Sequence, residues 1–293
     1  MNKLKLKIKE FLLSLSIIIP DKIYLKLIFF YYHKRILDLK EPKSFNEKLQ
    51  WLKLNYRPKT LTILVDKYRV RDYISKTIGR EYLIPLLGVW ERPEDINFEE
   101  LPNKFVLKCN HDSGSVFICL DKSNIDKEKI KDTISKQLKT SLFPYGREWA
   151  YKNVIPCIIA EKYMVDESGF ELKDYKFFCF NGKAEYLLVA SDRQTAGEEV
   201  KFDFFDMNYN RLPFKNMHPI SKSAPSLPSN IDEMRRLAEK LSKGFPHVRI
   251  DLYNINKKIY FGEFTFYHGS GFMPISPYQW DEKIGRHIDI SKL

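Results

Sequence analysis

The amino-acid sequence predicts an α+β protein in which antiparallel strands dominate the second half of the chain. Ser44 and Glu47 have the spacing of a capping box, which begins an amphipathic helix. The dipeptide Asn181-Gly182 separates two apolar segments and is a strong signal for a β-hairpin. A second hairpin is predicted for residues 249–266, RIDLYNINKKIYFGEFTF, where two strand-like segments flank a turn of Asn and Lys.

Apolar residues at helical spacing predict the helices. One covers 44–54, and a longer one covers 61–78 and ends at Gly79. Two further helices are expected at 126–142 and around 234–241, the latter ending at Gly244.

The strands are predicted from short apolar or alternating segments bounded by turn residues. We expect strands at 104–110, 115–120, 158–165, 172–180, 184–191 and 201–207, with a loop rich in Pro and Ser at 213–228.

Length and composition indicate a globular protein with a substantial core. The chain has 293 residues, of which 44% are hydrophobic, enough for two domains or one large α/β unit. The four cysteines contain no C-x-x-C pair, and the histidines show no metal-ligand spacing relative to them. We therefore expect reduced thiols, a cytoplasmic location and no structural zinc.

The net charge of +11 is concentrated at the start, since residues 1–40 hold nine Lys and Arg against three Asp and Glu. Apolar runs at 11–19 and 23–32 are shorter than the roughly 20 residues that span a bilayer. Pro20-Asp21 after the first run does not resemble a signal-peptide cleavage site. Two interpretations stay open: an amphipathic element on the anionic inner face of the membrane, or a basic helical pair packed on the core.

The hairpin at 249–266 carries two carboxylates. Alternation places Arg249 and Asp251 on one face of the first strand, and Phe261 and Glu263 on one face of the second. If the turn is centred near Lys257, Asp251 lies opposite Glu263, and the two carboxylates repel unless one is protonated or a cation lies between them. They are candidate Mg²⁺ ligands, with solvated carboxylates on an exposed face as the alternative.

Two other segments carry candidate binding residues. Lys108 precedes the small loop NHDSGS, whose backbone N–H groups could approach an anion. Asp174 and Lys176 share a strand face with apolar residues, a mixture typical of an active-site wall or of an edge strand kept soluble by charge.

The order of these segments resembles the ATP-grasp superfamily and, within it, the TupA-like branch associated with teichuronopeptide and other surface polysaccharides. The resemblance covers roughly residues 40–285. It rests on SFNEKLQWLKL and DKYRVRDYI near the start, the lysine strand with its small loop, EKYM, DYK, and Asp and Glu on successive strands followed by GEFTFYHGSG.

The resemblance implies an ATP-grasp fold, in which the nucleotide lies between a small lid subdomain and a larger antiparallel-sheet subdomain, after an N-terminal helical segment. With the basic apolar N-terminal segment that the charge pattern indicates, this gives four parts: that segment, a helical region, the lid and a C-terminal subdomain with the Mg²⁺ site. Their expected bounds are 1–40, 41–102, 103–157 and 158–293.

The resemblance also implies ATP and Mg²⁺ as cofactors, with roles for individual residues. Those expected around the nucleotide are Lys67 and Lys108 on the phosphates, Ser113, Gly114 and Ser115 in the covering loop, Glu161, Lys162, Tyr163 and Met164 at the adenine hinge, and Asp174 near the ribose.

The remaining implied roles concern phosphoryl transfer. Lys176 matches a cation near the phosphates, Arg249 matches the arginine that steadies the transferred group, and Asp251 and Glu263 match the Mg²⁺ ligands. Thr265 stands where many members have Asn, so a second Mg²⁺ is expected to be held more weakly. Substrate specificity is expected in the loop 268–271.

The resemblance implies a carboxylate–amine ligase that forms an amide through an acyl phosphate, here joining an amino acid or other amine to an acidic, uronic-acid glycan or its lipid-linked precursor. A Mg²⁺-dependent glycosyltransferase is the first alternative, although the sequence lacks a clear D-x-D. The second is a non-catalytic protein that binds polyanions or membranes; a nucleic-acid partner is not expected. Ligase activity on a soluble acceptor is expected to survive deletion of residues 1–40.

Overall fold

The structure is a computed structural model that describes residues 19–112, 114, 116–169, 172–192 and 199–293. The apolar run predicted at 11–19 lies outside these residues except for Ile19, and so do the predicted nucleotide contacts Ser113 and Ser115.

Eight α-helices lie within the described residues. They are α1 (Asp21–His33), α2 (Phe45–Asn55), α3 (Thr60–Val65), α4 (Val70–Thr77), α5 (Lys127–Leu138), α6 (Phe143–Gly146), α7 (Ile231–Leu241) and α8 (Tyr278–Gly285).

The start of α2 confirms the predicted capping box. The Ser44 hydroxyl accepts from the Glu47 backbone N–H at 3.3 Å, and the Glu47 carboxylate accepts from the Ser44 N–H at 2.9 Å. Two N–H groups that have no partner within the helix are satisfied in this way.

The single helix predicted at 61–78 is wrong, because the chain forms two helices, α3 and α4, with a break after Val65. The Asp66 carboxylate accepts from the backbone N–H groups of Tyr68 and Arg69 at 2.9 and 3.0 Å, offering the backbone a turn in place of a continuous helix. The break turns the Lys67 N–H towards the Asn110 carbonyl, 3.0 Å away, and so anchors this lysine beside the small sheet described next.

The smaller of the two main sheets contains β1 (Leu86–Trp90), β2 (Phe105–Cys109), β3 (Val116–Cys119) and β4 (Ile158–Lys162). It is antiparallel and has the strand order β1-β4-β2-β3. Strand β4 is shorter than the predicted 158–165. Strands β1 and β4 of this sheet lie outside the range 103–157 that was predicted for the lid. The subdomain bounds themselves stay a prediction.

The larger sheet contains β5 (Asp174–Phe180), β6 (Lys183–Ser191), β7 (Lys201–Phe205), β9 (Val248–Ile255) and β10 (Lys258–Thr265). It is also antiparallel and has the order β10-β9-β5-β6-β7. Two short strands, β8 (Lys215–Asn216) and β11 (Ile275–Ser276), pair separately, so the loop predicted at 213–228 contains a strand. The β5–β6 turn at Asn181-Gly182 has positive φ at both residues, 50° and 83°, which confirms the predicted hairpin.

Three apolar clusters hold these layers together. The largest joins the larger sheet to helices α2, α3, α4 and α7, and a second joins the smaller sheet to α5. A third packs α1 against Phe272 through Tyr24, Leu25, Ile28 and Phe29, all at most 2% exposed.

Helix α1 therefore packs on the core along one side, as one of the two open interpretations of residues 1–40 proposed. The expectation that activity survives deletion of 1–40 has to be revised, because that deletion would uncover Phe272 and the buried face around it. No helix among the described residues has both the length and the apolar character needed to cross a bilayer.

One buried and one half-buried histidine, His247 and His33, make the stability depend on pH. His247 is 1% exposed and its Nδ1–H donates to the Cys179 carbonyl at 3.0 Å, whereas its Nε2 is buried with no hydrogen-bond partner among the described groups. Burial lowers the pKa of His247 to about 3, and burial lowers the pKa of His33 to about 4. In the unfolded chain these side chains gain a proton near pH 6.5, so the unfolded state binds more protons as the pH falls below that value.

We expect the free energy of unfolding to fall from pH 6.5 towards pH 4, by up to about 1.4 kcal/mol per pH unit for each such histidine. Urea unfolding at pH 7.5, 6.0 and 5.0 measures this slope. His247→Phe, which keeps an aromatic ring against Phe180, should flatten the slope by up to one proton. An unchanged slope would show that His247 does not titrate on unfolding.

Candidate functional site

A cavity of about 210 Å³ lies between the two sheets. Val106 and Lys108 of β2 line one wall, and Asp174 and Tyr253 of the larger sheet line the other. The lining also contains the predicted hinge residues Glu161, Lys162, Tyr163 and Met164. A larger cavity of about 360 Å³ beneath α5 contains none of the predicted site residues.

Lys108 is held by a buried carboxylate in this cavity. Its Nζ lies 2.6 Å from Glu161, and Arg71 contacts the same carboxylate at 3.3 Å. The sequence interpretation assigned Glu161 to the hinge, and the structure adds that its side chain fixes the phosphate-binding candidate Lys108. Tyr163 and Met164 follow the end of β4 and are half-buried, where a flat base can contact them.

Lys67 lies close to Lys108. Its Nζ donates to the Asp112 carbonyl, and the Asp112 carboxylate lies 4.0 Å away. Burial lowers the pKa of Lys67, and Glu263 opposes this shift from across the cleft. The structure thus gathers both predicted phosphate-binding lysines, although their contact with a nucleotide stays a prediction.

The second half of the site is a row of charged side chains across three neighbouring strands. Lys176 of β5 is the register partner of Asp251 of β9, which is the register partner of Glu263 of β10. The Lys176 ammonium contacts the Asp251 carboxylate and lies 3.4 Å from Asp174. This confirms that Asp251 lies opposite Glu263.

Arg249 is the cation between the two carboxylates. Its Nε and Nη2 donate to Asp251 at 2.6 and 2.7 Å, and Nη2 also donates to Glu263 at 3.0 Å. Burial alone would raise the pKa of Asp251, but Arg249 and Lys176 hold it well below its usual range. Asp251 is therefore an anion in the folded protein and can bind a cation.

A β-bulge at Gly262 sets this register and corrects the predicted faces of β10. The turn is Asn256-Lys257, so without the bulge Asp251 would face Gly262. The extra residue turns Glu263 towards Asp251, whereas Phe261 pairs with Leu252 and is 5% exposed in the core. The prediction that Phe261 and Glu263 share a face was wrong because alternation shifts by one residue at a bulge.

The donor set fits Mg²⁺ shared between protein and nucleotide. Asp251 is buried, but the Glu263 side chain is 40% exposed to solvent. The Thr265 hydroxyl donates to the Glu263 carboxylate at 3.0 Å. Mg²⁺ commonly binds one or two carboxylates and completes its shell with phosphate oxygens and water. In the described part of the chain, no cluster of three or more His, Cys, Asp or Glu could hold a metal by itself. The metal roles of Asp251, Glu263 and Thr265 stay a prediction.

His268 lies in the loop where substrate specificity is expected, but the sequence did not predict its contact with Arg249. Its Nδ1 accepts from Arg249 Nη1 at 2.6 Å, so its Nε2–H donates to Asn216 at 2.7 Å. Burial and the Arg249 charge hold the pKa of His268 well below its usual range. A neutral His268 therefore fixes the orientation of Arg249, and no local sequence pattern signals this contact because the partners are 19 residues apart.

Two antiparallel sheets that enclose a cavity edged by lysines, with a charged row beside it, agree with the ATP-grasp fold. The chain belongs to the TupA-like ATP-grasp family, whose model matches residues 47–289. This confirms the family and fold that the sequence motifs resemble. No curated protein matches the sequence.

Solved structures of ligases are similar to the chain at low identity. D-alanine–D-alanine ligase from Bacillus anthracis is 17% identical over 70% of this chain and 58% of that chain, with a TM-score of 0.41. The enzyme of that name from Helicobacter pylori is 15% identical over 84% and 69%, with a TM-score of 0.41. L-amino acid ligase from Bacillus licheniformis is 10% identical over 86% and 56%, with a TM-score of 0.47. The chain thus spans less than two thirds of the first and third of these proteins.

Proposed function

We propose that the protein is an ATP-dependent carboxylate–amine ligase that forms an amide through an acyl phosphate. The observation that carries this proposal is the contiguous row of Lys176, Asp251, Arg249 and Glu263 beside the cavity that Lys108 enters. Family membership supports the use of ATP, and the absence of a Ser/His/Asp or Cys/His signature in the sequence agrees with a reaction that needs no covalent nucleophile.

The chemistry of the substrate explains the cations in this row. A carboxylate resists nucleophiles because it is negatively charged, so its oxygen must first attack the γ-phosphorus of ATP to give an acyl phosphate and ADP. Negative charge spreads over the transferred group in that step. Arg249 and Lys176, both fixed by Asp251, provide preorganised donors to stabilise it. When bound, Mg²⁺ on Asp251 and Glu263 would neutralise phosphate charge.

The lysines and the cavity would position the nucleotide. Lys67 and Lys108 lie on the smaller sheet's side and would contact phosphates, while half-buried Tyr163 and Met164 would contact the base. Asp174 lines the same cavity and would accept from the ribose. Holding the reacting groups in this geometry reduces the entropy cost of the transfer.

The substrate class follows from charge and from the family resemblance. A net charge of +11 favours an acidic partner, and a uronic acid supplies the carboxylate that such a ligase activates. We therefore propose an acidic glycan or its lipid-linked precursor as the acid, and an amino acid or other amine as the acceptor.

The reaction is tested by mixing the protein with Mg²⁺, ATP, a panel of uronic acids and a panel of amines. Acid-dependent ADP release, and hydroxamate formation when hydroxylamine replaces the amine, are the expected results because hydroxylamine traps acyl phosphates. Transfer from a UDP- or GDP-sugar without ADP release would instead indicate a glycosyltransferase. Salt-sensitive binding of any polyanion with no turnover would indicate a binding protein.

We also propose peripheral attachment to the inner face of the membrane, through the outer side of α1. Ile23, Leu27 and Phe30 recur at helical spacing and are 53%, 47% and 54% exposed. Lys22 and Lys26 lie next to them and are exposed. Large apolar side chains beside lysines fit an anionic lipid surface, because the apolar side chains can enter the hydrocarbon while the lysines contact the lipid phosphates.

The inner side of α1 connects this surface to the site. His33 lies 3.3 Å from the Gly271 carbonyl, and Tyr32 stacks on Phe272 at 5.9 Å. The loop 268–271 that contains His268 is therefore packed directly under α1. A lipid-linked acid held at the membrane would lie near the loop that borders Arg249.

Membrane attachment is tested by co-sedimentation with phosphatidylglycerol/phosphatidylcholine vesicles. Ile23→Ser/Leu27→Ser/Phe30→Ser should weaken binding at least about 10-fold, because three large apolar groups are lost from the contact. The matched control Ile63→Ser changes an apolar side chain of α3 that is 47% exposed and should bind normally.

A second variant that lacks residues 1–18 retains α1 and separates the two basic segments. Loss of vesicle binding in that deletion alone, with normal binding of the triple-serine variant, would show that α1 is not the membrane site.

A further inference from the structure

A cavity of about 450 Å³, separate from the nucleotide cavity, is formed by α1 and the segment that follows it. Lys22 and Lys26 contribute to its lining from α1, and the five consecutive residues 36–40 contribute the rest. None of these residues belongs to the site between the two sheets, so the proposed reaction does not use this cavity.

The chain that forms the cavity is held against α1. Lys34, directly after the helix, has a left-handed backbone with φ of 55°, and its N–H donates to the Phe30 carbonyl at 2.9 Å. The chain reverses there, and Leu37 is buried in the apolar cluster that also holds the inner side of α1. The segment 36–40 is therefore packed on the helix, and the cavity has a defined shape.

Asp38 is the carboxylate in the lining, and it stabilises the turn of its own segment. One carboxylate oxygen accepts from the backbone N–H groups of Lys40 and Glu41 at 2.8 and 3.1 Å. The Lys40 charge acts on this carboxylate from beyond ion-pair distance. Asp38 thus offsets part of the positive charge of the cavity without forming an ion pair.

Three exposed lysines line the cavity: Lys22, Lys26 and Lys40. Within the described residues, none of them forms an ion pair. Lys22 and Lys26 lie one turn apart on α1, a spacing at which like charges repel. Three ammonium groups less the Asp38 carboxylate give the lining a net charge of +2. A bound dianion would compensate this charge and remove the repulsion.

Apolar side chains lie beside these lysines. Ile36 lines the same cavity and is 82% exposed. In α1, Lys22 and Lys26 are each followed by an exposed apolar residue, Ile23 and Leu27. A soluble anion gains nothing from such side chains, whereas a lipid can bury hydrocarbon against them. The cavity and its surroundings therefore fit a molecule with an anion at one end and hydrocarbon at the other.

The charge of the lining favours one class of anion. A phosphomonoester carries about −1.5 to −2 charges at pH 7 and has three terminal oxygens. A phosphodiester has lost one of its ionisable oxygens and compensates the lining less completely. Each lysine offers three donors and contacts phosphate as a point charge, so three lysines can share the terminal oxygens of one phosphate.

We propose that this cavity binds the phosphomonoester headgroup of a membrane lipid. Lys22, Lys26 and Lys40 would contact the phosphate oxygens, and the hydrocarbon would lie against Ile36 and the exposed side of α1. The proposal rests on the membrane attachment proposed above and adds the chemical class of the lipid. It does not depend on the ligase reaction.

The first test compares two anionic lipids. Phosphatidylcholine vesicles contain either phosphatidate, a phosphomonoester, or phosphatidylglycerol, a phosphodiester, at fractions that give the same zeta potential. In co-sedimentation we expect the wild-type protein to bind the phosphatidate vesicles at least about 5-fold more tightly. Lys22→Gln/Lys26→Gln/Lys40→Gln should abolish this preference, because no ammonium group then lines the cavity.

The matched control removes three charges from another surface. Lys129→Gln/Lys136→Gln/Lys139→Gln changes three exposed lysines in and just after α5 and should keep the ratio of the two affinities. Equal affinity of the wild-type protein for the two kinds of vesicle would overturn the proposal. An equal loss of preference in both triple variants would also overturn it, because the preference would then come from net charge.

The second test separates a lipid from a soluble phosphate ester. Isothermal titration calorimetry measures the binding of glycerol 3-phosphate and, below its critical micelle concentration, of dihexanoyl phosphatidate. The short-chain lipid should bind the wild-type protein at least about 10-fold more tightly. Ile36→Ser should reduce this difference and leave the affinity for glycerol 3-phosphate unchanged. Equal affinities in the wild-type protein would show that the cavity takes a soluble phosphate and would overturn the lipid assignment.

These outcomes are distinct from failure of the other proposals, because neither ATP nor an acid substrate is present. Equal binding of both kinds of vesicle would retain peripheral attachment and overturn the headgroup site. No binding of either would overturn attachment and the headgroup site together. Absence of acid-dependent ADP release would count against the ligase function alone.

Discussion

Replacing Arg249 by methionine should abolish turnover and destabilise the fold together. The guanidinium is buried and donates to Asp251, Glu263 and His268, so its removal leaves Asp251 with Lys176 as its remaining buried cation. Removing one partner of a buried ion pair lowers the free energy of unfolding by about 3–5 kcal/mol. Removing an arginine that stabilises phosphoryl transfer lowers kcat about 10³–10⁵-fold.

Arg249→Lys separates the two effects. A lysine keeps the charge near Asp251 but cannot reach Asp251, Glu263 and His268 at once, because it lacks the planar fork of donors. We expect most of the stability to return while acid-dependent ADP release stays about 10²-fold below wild type. Urea unfolding and ADP release on both variants measure this. Near-normal turnover in either one would remove Arg249 from the reaction.

Asp251→Asn and Glu263→Gln should differ sharply in stability although both abolish turnover. Asp251 is 1% exposed between Arg249 and Lys176, so neutralising it leaves two buried cations poorly compensated and costs about 3–5 kcal/mol. Glu263 has a side chain that is 40% exposed, and its neutral amide can still accept from Arg249 and Thr265. Its replacement should therefore leave unfolding nearly unchanged.

The pH dependence of stability gives an independent check on Asp251. Because Arg249 and Lys176 hold its pKa below the usual value of 3.8, its ionised form stabilises the fold above that pH and the contribution is lost as the pH falls through the folded-state pKa. Asp251→Asn should remove this acid-dependent loss. If Glu263→Gln destabilised the protein as much as Asp251→Asn does, the result would contradict the solvent-exposed position of Glu263.

Features fixed by neighbouring residues were predictable from the sequence. The capping box of Ser44 and Glu47 and the turn at Asn181-Gly182 depend on a few residues in a row, and both form as predicted. The break of the helix at Asp66 was not predicted, although its signal is local. An Asp side chain caps a turn in place of a continuous helix only where the backbone geometry allows the hydrogen bond.

Features fixed by tertiary contacts were not predictable in the same way. Asp251 was correctly predicted to lie opposite Glu263, because a turn centred at Lys257 gives the same pairing as the real turn followed by a bulge at Gly262. The predicted hairpin contained no bulge, so it placed Phe261 on the wrong face. Lys53 of α2 and Ser270 lie far apart in the sequence, and the fold brings the Lys53 ammonium to the Ser270 carbonyl, 2.7 Å away. No periodicity in either segment distinguishes such a lysine from an ordinary core-facing residue.

Thermal shift of the wild-type protein and of Glu263→Gln against Mg²⁺ with ADP, ATP, UDP-sugars and GDP-sugars distinguishes an ATP-dependent ligase from a glycosyltransferase. Glu263→Gln is the better variant because its fold should be intact, so a lost shift reports binding. We expect Mg²⁺ with ADP or ATP to stabilise the wild-type protein, sugar nucleotides to give no stabilisation, and Glu263→Gln to lose most of the Mg²⁺-dependent shift. Stabilisation by a sugar nucleotide alone would contradict the ligase account and assign the same carboxylate pair to glycosyl transfer.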